Sequence, residues 1–206
     1  MKQPAVLTAS AIILAVMVFA FQGVQSRVVI PTFPVLSANF SDDMPHGQPA
    51  VNYIEFMSNN LYSRFPYSYQ ELWAANWIME ELLAMGHSDV EMQNFYREDL
   101  RGLWPMPIMS LVYILDSSPF INFGLRADRA SQNVVLTVPG QSDEVIVVGA
   151  HYDSVLYPGA SDNASGVALI LESAMRMINA DNYYTIKYIF FGSEEVGLYG
   201  VLNYVF

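Results

Sequence analysis

Apolar residues recur along this chain with two different periods, and the switches between them mark out its elements. From Pro49 to about Tyr62, Val51, Ile54, Met57 and Leu61 fall at helical spacing, and Pro49 suits the first turn of a helix. A second helical stripe, Ala75, Ile78, Leu82 and Met85, follows Ser68 and Glu71, which have the spacing of a capping box; Gly86 supplies the C-terminal stop. Val90–Tyr96 reads as a strand. Asn133–Val138 is predicted as another, Pro139–Ser142 as a turn, and Glu144–Ala150, with its unbroken apolar run, as a buried strand. Gly166–Asn179 reads as a helix that turns Val167, Ile170, Leu171, Ala174 and Ile178 toward a sheet. Asp181 and Asn182 then lead into a strand at Tyr184–Phe191. Strand, helix and strand at this spacing predict a right-handed parallel crossover. Residues 97–130 are weakly patterned because Pro105, Pro107 and Pro119 interrupt them, although Leu111–Leu115 suits a strand.

The N-terminus has a different character. Lys2 precedes an uncharged apolar stretch, Ala5 to Phe21, with no polar face, and the next charge is Arg27. Residues 1–26 are therefore predicted to be a signal peptide cleaved near Val24-Gln25-Ser26, or a retained membrane anchor. Positive charge only at the start sends the remainder out of the cytoplasm in either case. Residues 27–46, with Pro31, Pro34, Pro45 and the polar Ser41-Asp42-Asp43, read as a linker, leaving 47–206 as the domain. A net charge of −11 with only 9 Lys+Arg argues against a nucleic-acid partner or an anionic membrane surface. Membrane contact is expected only through the anchor. The chain has no cysteine, which excludes disulfides, thiolate metal sites and a cysteine nucleophile.

Candidate chemistry gathers in two polar clusters, each directly after a predicted strand. The first is His151-Tyr152-Asp153-Ser154, continued by Gly159-Ala-Ser-Asp162-Asn163-Ala-Ser-Gly166; the second is Gly192-Ser193-Glu194-Glu195-Val-Gly-Leu-Tyr-Gly200. Side chains just past the C-terminal ends of strands face the crevice where open α/β sheets bind ligands. A hydrolytic metal centre needs neutral or anionic ligands, an open position for water and a base for its proton. His151 can supply a ring nitrogen, and Asp153 can accept the other ring N–H and fix the tautomer. Asp162, in a turn of small residues, has two oxygens and can bridge two ions. Of the adjacent Glu194 and Glu195, one would bind metal and the other would stay free as the base. Singly, these residues have blander readings: Asp162 as a helix N-cap, Asp153 as a strand end and the glutamates as a solvated face. Together, on one edge of one crossover, they favour a metal site. His46 and His87 lie in linker and turn contexts and receive no function. Asn39 and Asn163 begin glycosylation triplets, which are common by chance.

With these motifs the sequence resembles the co-catalytic zinc aminopeptidases typified by bacterial leucyl aminopeptidases, over about residues 47–206 and most strongly from Asn133. The resemblance implies an α/β fold with a mixed, largely parallel central sheet flanked by helices. It also implies two Zn2+ ions per complete site. His151 would bind the first and Asp162 would bridge both. Glu195 would bind the second, Glu194 would be the general base, and Asp153 would orient His151. A cis peptide at Asp162–Asn163 is a further expectation of the family. The substrate implied is a peptide or protein N-terminus. The family completes its site with an Asp and a His well downstream of the Glu-Glu pair, and the chain ends at Phe206. This leaves two protein ligands per ion and predicts a truncated, weakly active form. Three other readings remain. Glutaminyl-cyclase-type acyltransferases look similar around His-Tyr-Asp-Ser but differ after the bridging Asp. Carboxypeptidases of the same superfamily are a second alternative. A non-catalytic binding module is a third, against which the intact Glu194 and Glu195 speak.

Overall fold

In the computed structural model, which describes residues 31–41, 43–96 and 124–206, four strands pair into one mixed sheet. They are β1 (Val90–Tyr96), β2 (Ala130–Val138), β3 (Ser142–His151) and β4 (Tyr184–Phe191), in the order β1-β2-β4-β3. The leader at 1–26 and the strand expected at Leu111–Leu115 lie outside the described residues. Among those described, no helix is long and apolar enough to cross a membrane. β1 and β4 both run antiparallel to β2, and β3 runs parallel to β4. The parallel pair follows from the helical crossover predicted between these two strands, here α3 (Ser165–Arg176). The turn after β2 passes over the start of β4, where Gln141 N donates to Asn182 O and Ser142 N to Tyr183 O. β4 can therefore enter between β2 and β3.

Helices α1 (Gln48–Asn60), α2 (Tyr69–Ala84) and α3 share one core with the sheet, built from Tyr53, Met57, Trp77, Ile78, Leu82, Val134, Leu136, Leu171 and Phe190. Phe95, opposite in strand parity to Met92, belongs instead to a second cluster with Phe65, Tyr67, Val196 and Tyr199, at the start of α4 (Tyr199–Val205).

Three expectations change. Of the stripe expected on α1, Met57 and Leu61 are buried and Ile54 packs on the core, but Val51 is 57% exposed, and Ala50, Tyr53 and Phe56 join the buried face. Phe56 stacks on Trp77 and Tyr53 meets it edge-on, which shifts the buried face away from Val51. Second, β3 is not buried: Val145, Ile146, Val147 and Val148 are 37–53% exposed, and only Ala150 is covered. β3 is the edge strand of the described sheet, and an unbroken apolar run looks the same whether a neighbour covers it or not. Third, the capping box at α2 is half formed. Ser68 Oγ accepts from Glu71 N, but the Glu71 carboxylate turns away from Ser68 into the protein interior.

Two other buried carboxylates fix the helices. Glu81 accepts from Leu36 N, Ser37 N and Tyr53 Oη, and Trp77 Nε1 donates to Pro34 O. Phe33, Leu36 and Phe40 thereby pack on the core, although they fall in the stretch read as linker. Glu172 on α3 accepts from Gly47 N and Ala50 N at the start of α1 and from Arg176. Burial alone would push Glu172 up, but these donors outweigh it and hold the carboxyl below the usual glutamate range. A folded value below the unfolded one gives stability that is complete above about pH 4.3 and is lost as the pH falls through the folded value. Glu172→Gln is expected to cost about 1.5–3 kcal/mol at neutral pH. It should also flatten the acid limb of a urea-unfolding series taken across pH, and an unchanged limb would count against the role.

Candidate metal centre

His151 pairs with Phe191 in the β3–β4 ladder, so the two strands release their C-terminal segments on the same edge of the sheet. Tyr152 N extends the ladder by donating to Phe191 O, and the buried Tyr152 hydroxyl donates to Gln132 O. Gly192 makes the exit of β4 possible, because a Cβ there would lie 2.5 Å from Gln132 O and 2.7 Å from Ser131 Oγ.

The His151 imidazole lies among carboxylates. Its Nε2 is 3.0 Å from Asp162 Oδ1 and 3.7 Å from Glu194 Oε2. Its buried Nδ1 lies 3.4 Å from Asp153 Oδ1 without a well-aligned hydrogen bond. Burial pushes the imidazole down, but Asp153, Glu194 and Asp162 outweigh it and raise it to about 9. Asp153 is fully buried, and its two oxygens accept from Glu194 N and Glu195 N, each at 3.0 Å. It touches both strand-end segments at once. Glu194 is raised, first by burial and then by the charges of Asp153, Glu195 and Asp162, with His151 opposing.

Asp162 lies in the turn Ala160–Ala164, whose backbone is non-helical at Asp162 and Asn163; the Asp162–Asn163 peptide is cis. The N-cap reading of Asp162 does not hold. Asn163 Oδ1 accepts from Gly166 N at the start of α3, which leaves the Asp162 carboxylate, 65% exposed, for His151. Glu195 Oε1 accepts from the Tyr157 hydroxyl, whose pKa is pushed up to about 12 chiefly by that bond. The structure thus joins His151 to Asp153, Asp162 and Glu194, and joins Glu195 to Tyr157. Among the described residues, no three His, Cys, Asp or Glu side chains are arranged to hold one ion. The donors are an imidazole nitrogen and carboxylate oxygens, the kinds zinc takes, and they fit it in type. His87 makes a buried contact with Ala174 O, and His46 lies 88% exposed beside Glu172.

Tyr157 and Arg64, which the sequence reading passed over, support the cluster, as does Glu71, read there only as a capping-box residue. Arg64 is fully buried and donates to the carbonyls of Tyr152, Leu61, Pro158 and Gly159. Its backbone also bonds Ser154 twice, Arg64 N donating to the Ser154 hydroxyl Oγ and Arg64 O accepting from Ser154 N. The loop that delivers Asp162 is wrapped around this guanidinium. Gly159, at φ +60°, permits the approach, since a Cβ there would lie 2.6 Å from Arg64 Nη2 and 2.7 Å from Asp162 O. Burial lowers Arg64 to about 10, with Asp153, Tyr157 and Glu195 opposing, so it stays cationic at neutral pH. Its scarcity was the available signal: the chain has only 9 Lys+Arg, and this one follows an apolar helix in an aromatic-rich turn. Arg64→Met, which keeps the bulk and strands several carbonyls, is expected to cost about 3 kcal/mol or more in urea unfolding. Arg64→Lys should recover only part, because an ammonium lacks the guanidinium fork. Equal stability of all three proteins would remove Arg64 from this role.

Residues 133–205 match Peptidase family M28. A stretch of 79 residues is 42% identical to the "Probable lipoprotein aminopeptidase LpqL" of Mycobacterium tuberculosis, covering 37% of this chain and 16% of that protein. Another of 82 residues is 39% identical to aminopeptidase YwaD of Bacillus subtilis, covering 38% of this chain and 18% of that protein. Each match spans less than a fifth of the relative's length. The zinc aminopeptidase BSAP from Bacillus subtilis shares the fold with a TM-score of 0.59 at 17% identity, over 85% of this chain and 66% of that one. A glutaminyl cyclase of Porphyromonas gingivalis does so with a TM-score of 0.54 at 20% identity, over 75% of this chain and 48% of that one. These structural likenesses concern the fold alone.

Proposed function

We propose that this chain, a relative of Peptidase family M28 over residues 133–205, serves a metal-dependent aminopeptidase that hydrolyses N-terminal peptide bonds at a two-zinc site. The observation that carries the reading is the convergence of the His151 ring with Asp162 and Glu194, delivered by different segments to one strand-end edge. His151 Nε2 and an Asp162 oxygen would hold one ion, and the other Asp162 oxygen with Glu195 would hold the second. Each ion then needs a third donor besides these, since catalytic zinc typically takes three protein ligands. Zinc bound there would polarise the scissile carbonyl and acidify a water.

The remaining work falls to this chain's own groups. Glu194 lies beside the ring without being needed as a ligand, so it is free to take the proton of the attacking water and pass it to the leaving amine. Asp153 holds the backbone of Glu194 and Glu195 and faces His151 Nδ1, from where it would orient the ring that presents Nε2. The glutaminyl-cyclase likeness is one of fold and favours no second chemistry.

Zinc titration by calorimetry tests the ligands. Affinity should fall at least about tenfold in His151→Ala and in Asp162→Asn. In a form of the protein that carries the third donors, Glu194→Gln should keep metal while aminoacyl-arylamide hydrolysis drops by about 10²–10⁴-fold. Variants that bind zinc as the parent does, or a fully active Glu194→Gln, would contradict the assignment. The same reading includes export, supported by the apolar segment after Lys2. N-terminal sequencing of the protein from fractionated cells is expected to give a start near Ser26 or a membrane-bound Met1. A soluble cytoplasmic protein starting at Met1 would exclude it.

A further inference from the structure

We infer that Glu71, far from the clusters in sequence, is a positioning residue for the Glu194–Glu195 pair. Its consequence for catalysis rests on the peptidase reading, while the positioning itself does not. Glu71 is fully buried near the start of α2. Its Oε1 accepts from Ser193 N at 2.8 Å, from Ser193 Oγ at 3.0 Å and from Ser131 Oγ at 2.9 Å, while Oε2 accepts from Tyr67 N at 2.7 Å. Burial and the nearby Asp153 charge push the Glu71 carboxyl up to about 8, against the pull of these donors.

The geometry at Ser193 gives these contacts their meaning. Ser193 sits at φ +52°, a left-handed conformation unfavourable for a side chain, and the next two residues are the glutamates. Three consecutive N–H groups therefore point inward: Ser193 to Glu71, then Glu194 and Glu195 to Asp153. With their amides held inside, the two adjacent glutamates cannot alternate as they would along a strand. Glu71 fixes the first of these amides and the hydroxyl beside it. It also ties them to β2 through Ser131 and to the α2 entry through Tyr67. A helix cap alone would not require this, because Ser68 already caps the helix through Glu71 N.

Glu81 is the natural control. It is equally buried on the same helix and likewise accepts backbone amides, but those belong to Leu36 and Ser37. Backbone amide exchange is measured by NMR on the metal-free chain for wild type, Glu71→Met and Glu81→Met. Both substitutions should lower global stability. Only Glu71→Met should speed exchange at Ser193, Glu194 and Glu195, by about tenfold or more relative to the β2 core amides Val134 and Leu136. Should Glu71→Met not fold, Glu71→Ala in a stabilising osmolyte decides, since it removes both acceptor oxygens. An unchanged ratio in the folded Glu71 variant, or an equal change in Glu81→Met, would overturn the inference. A parallel zinc titration separates the two ideas: zinc uptake that His151→Ala and Asp162→Asn leave unchanged refutes the metal-site reading, while the exchange ratio alone judges Glu71.

Discussion

The buried carboxylate of Asp153 joins the two halves of the site. β3 and β4 are fixed side by side by their parallel ladder, but a ladder ends where the strands end and says nothing about the loops beyond. Asp153 stands two residues past His151, the last residue of β3, and binds two consecutive amides of the segment that leaves β4. A carboxylate with both oxygens satisfied by adjacent N–H groups sets position and orientation at once. Replacing its carboxylate with an apolar side chain would leave those two amides without their acceptor, which costs more than the bonds themselves contribute. The register of His151 against Glu194 and Glu195 is therefore set by backbone geometry.

Much of this was legible from the chain. The strand-helix-strand unit, the helix after Ser68 and the clustering of His151 with Asp162 and Glu194 follow from local pattern and from the parallel ladder. What escaped was set by tertiary partners. Which face of α1 is buried depends on Phe56 stacking on Trp77, and no period within α1 contains that ring. The exposure of β3 depends on where it stands in the sheet, and a Val-Ile-Val-Val run is silent about this. Glu71 has the spacing of a capping box, and its amide does meet Ser68 Oγ. Its carboxylate goes instead to Ser193, 122 residues on, a partner that sequence proximity cannot suggest. Asp162 shows the opposite case. Its local default was an N-cap, and only the neighbouring Asn163 taking that duty leaves it free.

The composition explains how such a core is held together. With 20 Asp+Glu and 9 Lys+Arg, the chain has too few cations to pair its acids. The buried ones are satisfied largely by backbone amides: Glu71 by Tyr67 and Ser193, Glu81 by Leu36 and Ser37, Glu172 by Gly47 and Ala50, and Asp153 by Glu194 and Glu195. The buried cation Arg64 is met in the complementary way, by carbonyls. Backbone groups are fixed in place by secondary structure, so they satisfy a buried polar group with less loss of side-chain freedom than a flexible counter-ion would require.

This rule separates the structural acids from the crevice acids. Asp162, Glu194 and Glu195 contact the side chains of His151 and Tyr157, not a fixed array of amides. Burial raises Glu194 first, His151 opposes, and the charges of Asp153, Glu195 and Asp162 all add to the rise. A fold that answers its buried carboxylates with backbone donors, yet gathers three others at one strand edge without them, concentrates negative potential there. A divalent cation is the kind of ligand that relieves such a potential, since one ion can engage several of these oxygens and the His151 nitrogen together. The sheet and helices can then be read as a support that spends its amides on Glu71 and Asp153, so that the acids beyond them face the crevice.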